Sequence, residues 1–307
     1  MDKSFDIIFK IVNIINIFLN RMCQNILYLL YYYFFLYIIY MVRKQNKIKK
    51  GGAQSIFSSS IVTLIKNPSL LENNKEFPVF TYEGGSGFEA VKFILKPGEM
   101  IRGDGGAMNY MSGNMELETT TGNLISGVFR AFSGSSIFYN IFKNIGDSNG
   151  FINLSGCDPG NVGCFYIPQG KEFCLVDDSY ICSTLNLDIS TKVRFGGFLL
   201  GYGLTFVKVS STNGPGLIWS ASLGNVIEIR LTRGNSIDID NGVLLGFDAN
   251  ININTKSVGG FKSLLFSGEG LVSRITNNDS NDISIFVQSR SKSAYIGHLS
   301  KLVNKEH

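Results

Sequence analysis

Three glycines that each follow a strand-like run are succeeded by one spacing pattern, and this repetition constrains the fold of the 307-residue chain more than any other feature. The glycines are Gly98, Gly170 and Gly234. An Asn stands at the sixteenth position after each glycine and a Thr stands at the twenty-first. These positions are Asn114, Asn186, Asn250, Thr119, Thr191 and Thr255. Three copies of one block predict three similar units that bury their apolar faces against one another.

A second set of glycines indicates the length of the unit. Gly134, Gly201 and Gly268 recur at equal intervals and each opens a further strand-like run. The predicted repeats are 77–149, 150–215 and 216–303. The anchor glycines fit turns that need a positive φ, and the repeated Asn and Thr side chains are expected to cap turns by hydrogen bonds to the backbone.

Short alternating runs of apolar and polar residues predict the fold class. Residues 88–95 and 226–231 alternate with a period of two, and Gly, Asn, Asp and Ser interrupt the chain every 8–12 positions. This pattern is typical of strands in an all-β domain. We therefore expect three pseudo-symmetric β repeats that form a β-sandwich or barrel-like domain.

Residues 1–75 differ in composition from the rest of the chain and are expected to lie outside the β domain, which is predicted at 76–303. Met22–Val42 is an uncharged run between Arg21 and Arg43. As a helix it would reach about 31 Å, enough to cross a bilayer core, although its central tyrosines are more typical of the membrane interface. Basic residues after this run would place the β domain on the positive-inside face.

Other interpretations of this N-terminal segment remain open. Residues 41–70 are basic, contain serine and lack acidic residues, which is typical of an organelle transit peptide. Translation could instead start at Met41, or the basic stretch could be a solvated linker.

Charge is unevenly distributed along the chain. Residues 1–72 carry a net charge of +6, whereas the rest of the chain carries 19 basic and 21 acidic side chains. A slightly negative body lacks the cationic surface that binds phosphate backbones. Nucleic acid is therefore not an expected partner.

Cysteine and histidine usage gives no sign of a metal centre. Five cysteines are present, namely Cys23, Cys157, Cys164, Cys174 and Cys182, and none belongs to a C-x-x-C pair. His298 and His307 are the only histidines. We expect structural thiols in a reducing compartment, no metal and no cofactor.

Six carboxylates just after the anchor glycines are the basis of an alternative hypothesis, a binding or catalytic site in the β domain. They are Glu99, Asp104, Asp177, Asp178, Asp238 and Asp240. Such groups could bind a cation or act as an acid–base pair, although Asp is also a common turn former. Convergence of Asp104, Asp177 and Asp240 on one pocket would favour an enzymatic or small-molecule-binding β-barrel.

Two parts of the chain resemble one known family. Lys96–Glu99, Gly106–Met108 and Tyr110–Glu116 resemble its beginning, and Gly259–Leu271 and Val287–Arg290 resemble its end. Over about Phe77–Val303 the chain is similar to the altered inheritance of mitochondria protein 24 family, which has many bacterial relatives. The resemblance implies a three-repeat β fold similar to that of the trp RNA-binding attenuation protein. For eukaryotic members it implies a mitochondrial, inner-membrane-associated protein that supports membrane organisation and respiratory-complex assembly, and it brings no catalytic residues.

The resemblance, together with the basic N-terminus and the lack of a catalytic constellation, implies a scaffold protein of the mitochondrial inner membrane that is not an enzyme. Its expected partners are proteins at that membrane, with membrane association of the chain itself. A homo-oligomer is also expected, because repeated β units leave strand edges that need cover. The alternatives are the carboxylate-based barrel and an RNA-binding module.

Overall fold

The computed structural model describes residues 59, 61–71, 74–119, 139–195, 204–249, 251–257 and 271–303. The predicted span at 22–42, most of the predicted transit peptide, and the repeat markers Gly134, Gly201, Asn250 and Gly268 lie outside the described residues.

The described part of the chain forms antiparallel β-sheets, which confirms the predicted all-β class. Two strands come first, β1 Thr63–Leu64 and β2 Val79–Glu83. A first group of six strands follows: β3 Ala90–Leu95, β4 Met100–Asp104, β5 Met108–Met111, β6 Met115–Thr119, β7 Tyr139–Asn144 and β8 Gly150–Leu154. The second group is β9 Val162–Ile167, β10 Glu172–Val176, β11 Tyr180–Ser183, β12 Asp188–Phe195, β13 Leu204–Ser210 and β14 Gly216–Ala221. The third group is β15 Val226–Leu231, β16 Ser236–Asp240, β17 Leu244–Asp248, β18 Asn252–Ser257, β19 Leu271–Thr276 and β20 Ile283–Gln288.

Helical structure in the described residues is limited. The α-helix α1 spans Lys292–Val303, and single 3₁₀ turns occur at Pro68–Leu70, Asp177–Ser179 and Asn241–Val243.

Strand pairing follows the same scheme in each group of six. The first strand pairs with the sixth, the third with the sixth, the second with the fifth, and the fourth with the fifth. Hydrogen bonding therefore places β8 with β3 and β5, and β14 with β9 and β11. The observed units end one strand later than the boundaries predicted at 150 and 216.

The strands combine into four sheets. The first sheet has the order β2-β3-β8-β5, and the second has the order β1-β9-β14-β11-β4-β7-β6. The third has the order β12-β13-β10-β17-β20-β15, and the fourth has the order β16-β19-β18. The second and third sheets each join strands of two successive groups.

Three buried clusters lie between successive sheets. Within β9, Cys164 and Tyr166 pack in the cluster shared with the first sheet, whereas Phe165 and Ile167 pack in the cluster shared with the third. Side chains alternate across a strand, so both faces of the second sheet are buried in this region. The third sheet is likewise covered by the second on one face and by the fourth on the other, where Ile239 and Ile275 belong to the cluster.

The three anchor glycines occupy turns of the same construction. Their φ angles lie between +78° and +80°, in the left-handed region that glycine adopts without strain. Each glycine N–H donates to a carbonyl at the end of the fifth strand or just beyond it, over 2.7–2.8 Å, in the pairs Gly98–Asn144, Gly170–Ser211 and Gly234–Asn277. The predicted backbone capping is confirmed for Asn114 and Asn186, whose amides donate to the carbonyls of Ser148 and Pro215.

Candidate functional site

The predicted carboxylates do not share a single environment. Glu99 accepts hydrogen bonds from the backbone N–H and the ammonium of Lys96, at 2.8 and 3.2 Å. Asp238 forms an ion pair with Arg274, and Asp240 accepts the Gly242 N–H at 2.8 Å. These carboxylates therefore hold turns and strand pairs.

Two of the other predicted carboxylates lie near one tyrosine. Burial raises the pKa of Tyr139, nearby Arg102 lowers it, and Asp104 and Asp177 raise it further. The structure thus brings Asp104 and Asp177 to the same region, while Asp240 caps a turn elsewhere. Asp104, Asp177 and Asp240 therefore do not converge on one pocket, the arrangement that would have favoured the carboxylate-based barrel.

A cleft of about 140 Å³ lies in the third group of strands, and none of the six predicted carboxylates lines it. Its lining is Asp248, Ile251, Thr276, Asn277, Asn278, Asp279 and Ile283. The Asn277 amide donates to the carbonyls of Leu231 and Asn281, and hydrogen bonds from Ser280 and Asn281 lower the pKa of Asp279. These polar groups hold the surrounding turn. The described residues contain no group of three or more His, Cys, Asp or Glu side chains that could hold a metal ion.

A buried arginine joins the first and second groups, and no sequence signal pointed to it. Arg102 is only 2% exposed, and its guanidinium donates to the carbonyls of Leu187 and Leu185 at 2.9 and 3.2 Å. It also lies 6.0 Å from the centre of the Tyr139 ring. From strand β4 of the first group, Arg102 therefore provides hydrogen-bond donors for two backbone carbonyls in a loop of the second group.

A polar network covers the outer face of the first sheet. Glu83 accepts from Lys92 Nζ and from Asn153 Nδ2, both at 3.0 Å, and from the Tyr110 hydroxyl. The hydrogen bond from Tyr110, followed by that from Lys92, lowers the pKa of Glu83. The Lys92 ammonium also lies 5.3 Å from the centre of the Phe151 ring.

Helix α1 presents an apolar stripe that the described part of the chain leaves exposed. Every residue from 293 to 303 is exposed, including the stripe Tyr295, Ile296, Leu299, Leu302 and Val303. At 100° per residue these five positions fall within about a third of the helix circumference. The opposite face carries Ser293, Gly297 and Lys301, and the helix contains no acidic residue. No helix among the described residues is long and apolar enough to cross a bilayer.

The base of α1 is attached to the β domain by a charged contact. Lys292 Nζ lies 2.8 Å from Asp158 Oδ2 and 2.7 Å from Asp178 Oδ2. Burial lowers the pKa of Lys292, but the hydrogen bonds to Asp158 and Asp178 outweigh it, so the pKa is raised. Asp178, predicted as a site carboxylate, thus anchors the helix.

Replacing Lys292 with methionine is expected to lower the free energy of unfolding by about 1–2 kcal/mol, because two carboxylates lose their cation and Asp158 is largely buried. The measurement is urea unfolding followed by circular dichroism. The matched control is Lys301→Met, an exposed position of the same helix, with an expected change within about 0.5 kcal/mol. Equal losses from the two substitutions would show that the contact does not hold the helix.

Fold and surfaces together define a class: tandem six-strand β units with an exposed amphipathic helix at the end of the repeated part. The chain belongs to the mitochondrial biogenesis AIM24 family, whose model matches residues 80–290. This confirms the family that the sequence resembles.

Two comparisons with individual proteins agree with this assignment. An uncharacterised protein of Streptococcus pyogenes serotype M6 is 22% identical over 244 residues, which are 77% of this chain and 94% of that protein. A crystal structure of a Streptococcus pyogenes protein superposes with a TM-score of 0.57 at 22% identity and covers 74% of this chain and all of that one. The second likeness shows the fold alone. Because a bacterium has such proteins, chains of this kind are not confined to mitochondria.

Proposed function

We propose that this protein is a non-enzymatic scaffold of the mitochondrial inner membrane that supports membrane organisation and respiratory-complex assembly. Membership of a mitochondrial biogenesis family supports the compartment. The engagement of Glu99, Asp178 and Asp238 in ion pairs supports a structural use of the predicted carboxylates.

The observation that carries the proposal is the exposed apolar stripe of α1. Isolated helices of about 12 residues are marginal in water, so a helix without buried residues is stabilised when a partner covers its apolar face. The partner that fits is an anionic lipid surface. The stripe would enter the acyl boundary, while Lys301 and the preceding Arg290 would stay at the headgroups.

The lipid contact predicts a position-specific fluorescence change. An environment-sensitive dye is attached at Leu299→Cys, on the stripe, or at Ser300→Cys, on the polar side, in full-length protein with Cys23 and Cys157 replaced by serine. Vesicles of phosphatidylcholine and cardiolipin are expected to shift the emission of the Leu299 label to shorter wavelength and to leave the Ser300 label nearly unchanged. Pure phosphatidylcholine vesicles are expected to have a weaker effect. No shift at Leu299 with either vesicle would contradict the lipid contact.

The function itself is tested in the source organism. Deleting the gene is expected to lower the amount of assembled respiratory complexes on native gels, and re-expressing the wild-type chain is expected to restore it. The double variant Leu299→Asp/Leu302→Asp is expected to restore little, whereas the control Ser300→Asp restores fully. Unchanged complexes in the deletion strain, or a protein found outside mitochondria, would overturn the proposal.

A further inference from the structure

Two seams join the three groups of strands, and both obey one rule. The second strand of one group pairs antiparallel with the third strand of the next, as β4 does with β11 and β10 with β17. In each seam, the fifth residue after the anchor glycine of one group lies opposite the twelfth residue after the anchor glycine of the next group. These pairs are Gly103–Cys182 and Leu175–Gly246. The two seams therefore share one register.

The two strand types that pair in the seams also occur at the edges of the first and fourth sheets, each without a strand partner on one side among the described residues. Among the described residues, β5, the third strand of the first group, pairs only with β8. Likewise β16, the second strand of the third group, has β19 as its only strand partner within the described part of the chain. No buried cluster of the described residues joins the first sheet to the fourth. Open edges present N–H and C=O groups that can pair with another chain.

Exposure separates these strands from their counterparts in the two seams. The third strands β11 and β17 are buried at every position, whereas Met108 and Tyr110 of β5 are 40% and 43% exposed. The second strand β10 is buried at four of five positions, whereas β16 is buried at one. Without a neighbouring strand, β5 and β16 are thus more exposed to solvent than their counterparts in the two seams.

Ile227, on strand β15, is an exposed apolar residue that a sheet added at the edge of β16 would cover. Ile227 stands seven residues before Gly234, as Val91 stands seven before Gly98. Val91 is fully buried in the cluster that the second sheet completes, whereas Ile227 is 46% exposed. The outer face of the first sheet carries Phe151, 38% exposed, beside the hydrogen-bonded network of Glu83. The polar side chains of this network already have hydrogen-bond partners, so covering the face would not leave them unsatisfied.

We infer that a second copy of this chain completes the open seam. The β16 strand of one copy pairs antiparallel with β5 of the next, in the register Asp238–Met111 and Ile239–Tyr110. The outer face of the incoming first sheet then lies over Ile227. Because the two copies use different surfaces, the contact is heterologous and gives a ring or an open chain rather than a twofold dimer. This inference does not depend on the proposed scaffold function.

Cross-linking of full-length protein tests the register. One tagged copy carries Met111→Cys and a differently tagged copy carries Asp238→Cys, both with Cys23 and Cys157 replaced by serine. Directly opposite residues of an antiparallel pair have Cβ atoms about 4.5–5.5 Å apart, so a short thiol cross-linker is expected to give a mixed dimer. Either copy alone is expected to stay monomeric on the gel. No mixed dimer would overturn the inference, as would an equal yield when Ser236→Cys replaces Asp238→Cys, two residues out of register.

A surface variant tests the packing. Ile227→Glu is expected to lower the yield of the mixed dimer about tenfold, because a carboxylate would be buried at the contact. Ile145→Lys is the matched control, since Ile145 is 58% exposed in the turn after β7, away from β5 and β16, and it is expected to leave the yield unchanged. Circular dichroism checks that both variants are folded. Equal yields from the two variants would contradict the placement of the incoming sheet.

Discussion

Replacing Trp219 with alanine is expected to lower the free energy of unfolding by about 3–5 kcal/mol. The Trp219 side chain is fully buried in the cluster between the first and second sheets. Its ring meets those of Phe80 and Phe93 nearly edge-on, with centroids 5.0 and 4.8 Å away. Alanine would leave a cavity where the two sheets meet, and domains of this kind are stable by only about 5–15 kcal/mol.

The measurement is urea unfolding followed by far-UV circular dichroism, because Trp219 is the only tryptophan and its fluorescence is lost in the variant. Phe88→Ala is the matched control, an aromatic side chain removed from an exposed position, with an expected change within about 0.5 kcal/mol. A loss below about 1 kcal/mol for Trp219→Ala would mean that the first sheet does not pack on the second as described.

The turns and the strand class could be predicted from the sequence because both are local. A glycine directly after each strand-like run predicts a turn with positive φ, and Gly98, Gly170 and Gly234 adopt it. The alternation over Ala90–Leu95 reappears as alternating burial in β3, whose outer face is only partly covered. A period of two reports a strand with one buried face.

The layer order could not be predicted, since it depends on contacts between distant residues. The strands β9, β14 and β20 are buried at every position because each lies between two sheets, so their alternation is lost. The pairing of β4 with β11 joins parts of the chain that are far apart in sequence, as in Gly103–Cys182. The residues around a strand do not indicate which distant strand it will pair with.

The surfaces were harder to predict than the fold. Arg102 occupies the position that Cys174 and Asp238 occupy relative to the other anchor glycines, so spacing alone gives no reason to bury a charge there. Helix α1 was not predicted from the sequence, because its apolar stripe is short and is interrupted by Gly297 and Ser300. Glu99 and Asp240 hold turns close to them in sequence. The ion-pair partners of Asp178 and Asp238 could not be predicted, because Lys292 lies in α1 and Arg274 lies in β19, far along the chain.

Raising the pH from 8 to 10 is expected to lower the free energy of unfolding by about 4 kcal/mol, because three buried thiols resist ionisation only in the folded state. Burial raises the pKa of Cys164 and of Cys182 well above the ordinary value of 9.0 and raises that of Cys174 to about 12. In the unfolded chain these thiols ionise near pH 9. Their contribution to stability is thus fully present below pH 9 and declines as the pH rises above it, by about 1.4 kcal/mol per thiol at pH 10.

Urea unfolding at pH 8 and pH 10 under a reductant measures this decline. The triple variant Cys164→Ala/Cys174→Ala/Cys182→Ala is the control, and it is expected to be less stable at pH 8 but to lose much less between the two values. Cys157→Ala is the second control, since it removes an exposed thiol and leaves the three buried thiols in place. An undiminished decline in the triple variant would assign the alkaline sensitivity to other groups, of which the buried hydroxyls of Tyr82 and Tyr180 are the strongest candidates because burial also raises their pKa.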